Sequence, residues 1–293
     1  MRPTSRTFVG AASPLAGADP VPGPGTVAQV FTRGFYALDA AGRIVPVLGA
    51  RALRLPTGIL VPALDADDLL GLRSGTPIQF SNTGSGPRMR IADLTIATGR
   101  RWAPARVALA PTVKSPPAME PPAASHRTGV EALPGLVRTL ATQLLAPETA
   151  CNRVATAAAV RALVGLGPGS TPSGDDALCG AALALRCLGH GRRLARLRRA
   201  VSPLLHRTSP FSASLLAAAL DGWCLPQTAR LIALVCRPRS AGALCTADRP
   251  TSSGELLELA DQIGSTSGHD LLAGATGLAA AHSSQAGPAV RVA

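Results

Sequence analysis

Asp175 and Asp176 stand side by side at the end of the run Gly167-Pro168-Gly169-Ser170-Thr171-Pro172-Ser173-Gly174, between two Ala/Leu-rich periodic stretches. A segment this dense in Gly, Pro and hydroxyls folds as a tight loop with exposed backbone, and it delivers both carboxylates to the start of the next helix. Ser173 occupies the expected N-cap position and Asp176, three residues on, completes a Ser-x-x-acid capping box of about 1 kcal/mol. Successive helical residues point about 100° apart, so Asp175 cannot share that job, and its carboxylate is expected to be free toward the loop. The plain structural alternative is that Asp175 only complements the helix dipole.

A second copy lies near the C-terminus. Ser265-Thr266-Ser267-Gly268-His269-Asp270-Leu271-Leu272-Ala273-Gly274-Ala275 matches Thr171-Pro172-Ser173-Gly174-Asp175-Asp176-Ala177-Leu178-Cys179-Gly180-Ala181 at Ser, Gly, Asp, Leu, Gly and Ala. Ser267 and Asp270 make the second capping box, and His269 takes the place of Asp175. The pair Asp175 and His269 is therefore the expected catalytic acid and imidazole. Gly167, Gly169, Thr171, Ser173, Gly174, Asp176, Ser267, Gly268 and Asp270 form the expected ligand-binding shell. Gly180 and Gly274, one turn inside each helix, weaken their helices unless backbones approach closely there.

Gly169 and Gly174 have the spacing of a phosphate-loop motif, but Asp175 stands where that motif needs Lys. A bare phosphate is disfavoured beside two carboxylates. The residue types suit an amide or carbamoyl NH2 group donating to the carboxylates, with loop amides on its oxygens. They equally suit a divalent cation such as Mg2+, with Asp175 as its ligand, bridging to an anion.

The string Gly165 to Asp176, the Ser267-to-Gly274 echo, the segment from Val27 to Leu48 and the helix start Ser209-Pro210-Phe211-Ser212 together resemble the AllH-like family. That family includes a subunit of oxamate carbamoyltransferase from allantoin catabolism. The likeness runs from about residue 27 to 281, departing at Ser170, where Leu is expected, and at Ser265, where His is common. It implies a carbamoyltransferase-type subunit handling a small anionic or carbamoyl ligand with other protein subunits. A non-catalytic scaffold or ligand-sensing subunit of a complex is the alternative.

The elements that must position these loops fall into an α+β arrangement. Residues 1–25 read as a disordered tail. Residues 26–112 read as a small antiparallel, barrel-like β domain, with strands expected at Val27–Phe31, Ile44–Leu48, Gly58–Leu64, Ile78–Ser81 and Met89–Ala97. Residues 113–128 are a Pro-rich linker, 129–282 an α-helical domain carrying both Gly-rich loops, and 283–293 a tail. Asp65-Ala66-Asp67-Asp68 reads as a short helical turn rather than a metal site.

Lys114 is the one lysine among 29 basic residues, so almost all of the net charge of +12 is Arg. That charge favours an anionic small molecule or an acidic protein. Nucleic-acid binding is disfavoured, because aromatic residues for base stacking make up only 3% of the chain. The cluster Arg186, Arg192, Arg193, Arg196, Arg198 and Arg199 reads as a solvated face or a subunit dock. Six cysteines without metal spacing read as reduced, mostly buried thiols of a cytoplasmic protein, Cys179 included. No apolar run reaches transmembrane length.

Overall fold

The computed structural model describes residues 6–15, 19–84, 86–110, 128–237 and 253–285. The chain divides into two compact units, Met1–Ala105 and Arg106–Ala293.

The first unit is a closed barrel of β1 (Arg6–Ala12), β2 (Gly23–Phe31), β3 (Gly34–Leu38), β4 (Ile44–Leu48), β5 (Ile59–Leu60), β6 (Pro77–Thr83), β7 (Gly86–Ile91) and β8 (Leu94–Arg101). Around the barrel the order is β1-β5-β4-β3-β2-β6-β7-β8, closing from β8 back to β1. Closure removes the open sheet edges that would otherwise invite aggregation. Phe35, Val45, Val47, Phe80, Met89, Ile91 and Ile96 point inward as its core.

Three expectations need correction. The sheet is mixed, not antiparallel, because β1 pairs with β8 and β4 with β5 in parallel. The segment from residue 49 to 58 is a crossover rather than a hairpin turn, and a crossover returns the chain in the same direction. The run Met89–Ala97 is two strands, broken at Ala92 with φ 50°, and Gly58–Leu64 contributes only Ile59–Leu60. Residues 6–12, assigned to a disordered tail, are the strand that closes the barrel, and β2 likewise starts inside that tail. The buried positions of β1 are Gly10 and Ala12, which are too weakly apolar to show the period-2 pattern. Asp65 accepts from the amides of Asp67 and Asp68 to start a 3-10 turn, a structural role as expected.

The second unit contains α1 (Leu133–Leu145), α2 (Ala150–Leu163), α3 (Ser173–Cys187), α4 (Gly191–Val201), α5 (Pro210–Leu220), α6 (Pro226–Val235), α7 (Ser253–Asp261) and α8 (Ser267–Gln285). Every residue of α3 from Ser173 to Leu185 is buried, and α8 is its most extensive neighbour. Such an Ala/Gly-rich helix permits partners on all sides, because its small side chains let backbones approach.

The arginine cluster is largely tied to helix ends. Carbonyl groups at a helix C-terminus lack intrahelical donors and attract cations. Arg193 donates to the Leu145 carbonyl, and Arg196, 4% exposed, donates to the carbonyls of Gln143 and Leu144 at the end of α1. Arg198 donates to the Leu220 carbonyl at the end of α5 and to Asp221. Arg186 donates to the Val107 carbonyl. These guanidiniums organise the fold, and Arg192 and Arg199 are the exposed members. The expected linker 113–128 lies outside the described residues except Thr128, as does the tail beyond Gln285.

Candidate functional site

Helices α3 and α8 run side by side in the same direction. Ser173 lies with Asp270 and Asp176 with Ser267 at their N-termini. One turn on, a Cβ on Gly180 would strike the Leu271 carbonyl, and one on Gly274 would strike the Ala177 carbonyl. Just beyond the C-terminus of α3, His190 Nε2 meets His282 Nδ1 of α8 at 3.1 Å. Exchanging each residue for its counterpart in the other copy leaves the first four contacts unchanged. That is the mark of a local two-fold axis running along the helix pair. Gly180 and Gly274 are thus explained by close approach, as their positions suggested. Gly174 and Gly268 have the same kind of reason: a Cβ on either would strike a carbonyl of the preceding helix, Leu163 in α2 or Ala260 in α7.

The capping boxes do not form as expected. Pro172 is the N-cap of α3, no side chain caps it, and Ser173 is already helical. The expected Ser–acid partners are instead exchanged across the two-fold: Ser173 with Asp270, and Ser267 with Asp176. Parallel helices set both N-termini at one end, so each acid finds the hydroxyl of the other copy.

Asp175 is not free. It is fully buried, accepting from the Gly165 amide at 2.9 Å, from the Ser212 hydroxyl at 2.7 Å and from the Thr208 hydroxyl. Ser212 sits in the first turn of α5, whose N-cap Ser209 accepts from the Ser212 amide, as the Ser-Pro-Phe-Ser start predicted. Asp175 therefore pins the loop before α3 to the start of α5, with both oxygens engaged by protein donors. A bound Mg2+ would have to displace them, and among the described residues no group of three His, Cys, Asp or Glu converges as a ligand set.

His269 behaves as the counterpart of Asp175. It is 1% exposed and its Nε2 meets Asp261 Oδ1 at 2.9 Å, holding the start of α8 to the end of α7. Its Nδ1 is buried without a partner. The two residues expected to act together thus engage separate elements, while the next residue in each helix, about 100° around, turns toward the two-fold.

Those next residues are Asp176 and Asp270. Each keeps one buried oxygen, Oδ2, without a hydrogen-bond partner. Asp270 Oδ1 accepts from the Gly129 amide at 3.1 Å. A Cβ on Gly129 would strike Ser173 Oγ, so that hydroxyl would have to turn away. Thr171 Oγ1 and Ser267 Oγ lie 3.0 Å apart, and both flank Asp176. These half-buried hydroxyls separate the carboxyls from the exposed loop residues Pro168 to Ser170 and Gly264 to Ser265. Gly167 and Gly169 hold the first loop's turns at φ 109° and 93°.

Burial pushes the Asp176 carboxyl well above the ordinary value of 3.8, and the charges of Asp270 and Asp175 push it further, against the lowering effect of the Ser267 and Thr171 hydroxyls. Burial also raises Asp270, offset by Ser173, the Gly129 amide, His269 and Thr266. A folded pKa above the unfolded one contributes stability that is complete below the unfolded value and lost as pH rises through the folded value. Urea unfolding of the helical unit from pH 4 to 8 is therefore expected to show the wild type losing stability relative to Asp176→Asn as pH rises. A difference that is flat or grows the other way refutes the assignment. Cys179, on the same helix, is pushed well above the ordinary thiol range by burial and by the charges of Asp176 and Asp175, which keeps it a neutral core thiol. Of the other cysteines, Cys224 and Cys236 are buried, Cys187 is half-buried and Cys151 is exposed, while Cys245 lies outside the described residues.

The two loops singled out from the sequence meet at the N-termini of α3 and α8, but their residues pair otherwise than expected, and Gly129 was missed. The cross-pairing is tertiary, and Gly129, in an unpatterned stretch, gives no sign of its partner. No helix among the described residues is long and apolar enough to cross a membrane. No curated protein and no solved structure matches the chain. Residues 163–279, which hold both loops, both helices and the exchanged acids, match the family described as "Oxamate carbamoyltransferase subunit AllH". The match excludes the barrel and rests on the twin-helix half alone, and over those residues the chain is similar to the AllH family.

Proposed function

We propose that this chain is a subunit of a carbamoyl-transferring enzyme and that a small carbamoyl-bearing anion binds at the paired N-termini of α3 and α8. The observation that carries the reading is the pair Asp176 and Asp270, each with a buried oxygen that no donor among the described residues reaches. Native structures rarely leave such atoms unpaired, and each costs about 1–3 kcal/mol, so a ligand donor is the natural partner. Two parallel helix N-termini add their dipoles at the same place and favour the anionic end of the ligand. The amides of Gly169 and Ser170 and the Thr171 hydroxyl are the groups that would hold its oxygens.

In the transfer itself the amide nitrogen of an acceptor such as oxamate attacks the carbamoyl carbon. A C–N bond forms, the C–O bond to phosphate breaks, and phosphate leaves with the bonding pair. The acceptor's amide proton passes to a carboxylate of the pair. Asp175 and His269 act through position, fixing the helices that carry the acids. The family description names a subunit, which supports other protein chains as partners.

Thermal unfolding of the full chain with carbamoyl phosphate, oxamate or Mg2+ tests the reading. A ligand at 100 times its Kd stabilises by about 2.7 kcal/mol, so the helical transition is expected to rise by several degrees with carbamoyl phosphate or oxamate. A chain indifferent to all three is a scaffold subunit, and the proposal fails.

A further inference from the structure

The local two-fold makes Asp176 and Asp270 equivalent in sequence, yet their surroundings differ: Asp270 has the Gly129 amide, the Thr266 hydroxyl and His269 beside it, where Asp176 has the Thr171 hydroxyl and the charge of Asp175. Asp270 accepts the backbone N–H of Gly129 at 3.1 Å, and among the described residues no backbone donor reaches Asp176. Two buried carboxyls within reach of each other's charge cannot both ionise cheaply, so one proton is held between them, and the carboxyl with the better donors keeps the charge. Besides each other, the titratable groups within electrostatic reach of them are Asp175 and Cys179 on α3 and His269 on α8.

Resting on the ligand site proposed above, we infer that Asp176 is the carboxylic acid and Asp270 the carboxylate, so that the pair presents one donor beside one acceptor and selects the O=C–NH2 edge of a carbamoyl group. The acid O–H of Asp176 donates to the carbamoyl oxygen, and Asp270 Oδ2 accepts from the NH2. The ligand reaches them by parting the Thr171–Ser267 hydroxyl pair, which lies against Asp176. An isostere without the N–H leaves Asp270 Oδ2 buried and unpaired again, which is the kind of mismatch that gives strong discrimination. Gly129 is the positioning residue, since its amide is the backbone donor that Asp270 has and its counterpart lacks among the described residues.

Two measurements on the full chain test this. The first is carbon NMR of side-chain-labelled aspartate at pH 7, with Asp176→Asn and Asp270→Asn used to assign the signals. The Asp176 carboxyl is expected at the protonated position and Asp270 at the ionised one. Both ionised, or the proton on Asp270, overturns the inference whatever the chain binds. The second is calorimetric titration with carbamoyl phosphate against acetyl phosphate, which has the same charge but a methyl in place of NH2.

Wild type is expected to prefer carbamoyl phosphate by at least about tenfold, equivalent to 1.4 kcal/mol. Asp270→Asn is expected to erase that preference: the Asn oxygen must stay on the Gly129 amide, so its NH2 replaces the acceptor with a donor. Equal binding of the two phosphates by wild type overturns the selectivity. If the NMR asymmetry is present and neither phosphate binds, the proton assignment stands and the carbamoyl-ligand reading is the one that falls.

Discussion

Gly274→Ala is expected to destabilise the helical unit by about 3 kcal/mol or more, the upper range for overpacking a tight contact. The new methyl group lands on the Ala177 carbonyl oxygen, a backbone atom of the central helix that cannot rotate away. Gly180→Ala should cost as much, because its methyl group meets the Leu271 carbonyl in the two-fold-related position. The double variant should cost less than the sum, since the first substitution already forces α3 and α8 apart. Gly135→Ala is the control. It lies in α1 with nothing within 4 Å of the added Cβ, and should stabilise by about 0.4–1 kcal/mol through helix propensity and lost chain entropy. Urea midpoints of the four variants decide the matter, and a neutral Gly274→Ala would disprove the close parallel pair. Since Asp176 and Asp270 depend on that approach, ligand-induced stabilisation should be lost from both tight-glycine variants.

The second large effect separates two neighbours that look interchangeable in the sequence. Asp175→Ala is expected to lose about 3–5 kcal/mol, the range for removing one side of a buried charged network. It strands the Gly165 amide and the Ser212 and Thr208 hydroxyls together. Asp176→Asn, by contrast, spares the folded chain the cost of keeping a buried carboxyl protonated, and should be neutral or mildly stabilising above pH 6 while changing ligand binding. Chemical denaturation paired with ligand titration distinguishes the two. Equal loss of stability in both would return Asp176 to a purely architectural role.

The division of labour inverts what spacing alone suggests, and the reason is local geometry. A Ser-x-x-acid pattern reads as a self-contained cap, and in isolation each loop would be one. Here the helix starts at Ser173 itself, Pro172 takes the cap position, and the hydroxyl is left to the acid of the other copy. Asp175, the residue that seemed surplus, faces α5 and binds the loop to it. His269 faces α7 in the same way.

From its sequence alone the protein revealed the two Gly-rich loops, their duplication, the helical half and its break from a β-rich half. These are local facts: Gly and Pro density, capping residues and 3.6-residue periodicity depend on neighbours in the chain. The strand that closes the barrel, with inward residues Gly10 and Ala12, carries no such local pattern, and the parallel pairings follow from a crossover whose path the sequence does not mark. Which acid faces its twin, which one is consumed as a structural tie, and that Gly129 sets them apart were decided by tertiary structure. Two helices had to lie parallel and within backbone contact before Ser173 could meet Asp270 and Ser267 could meet Asp176. That arrangement is fixed by the glycine contacts between α3 and α8, a relation between distant segments that no window of sequence contains.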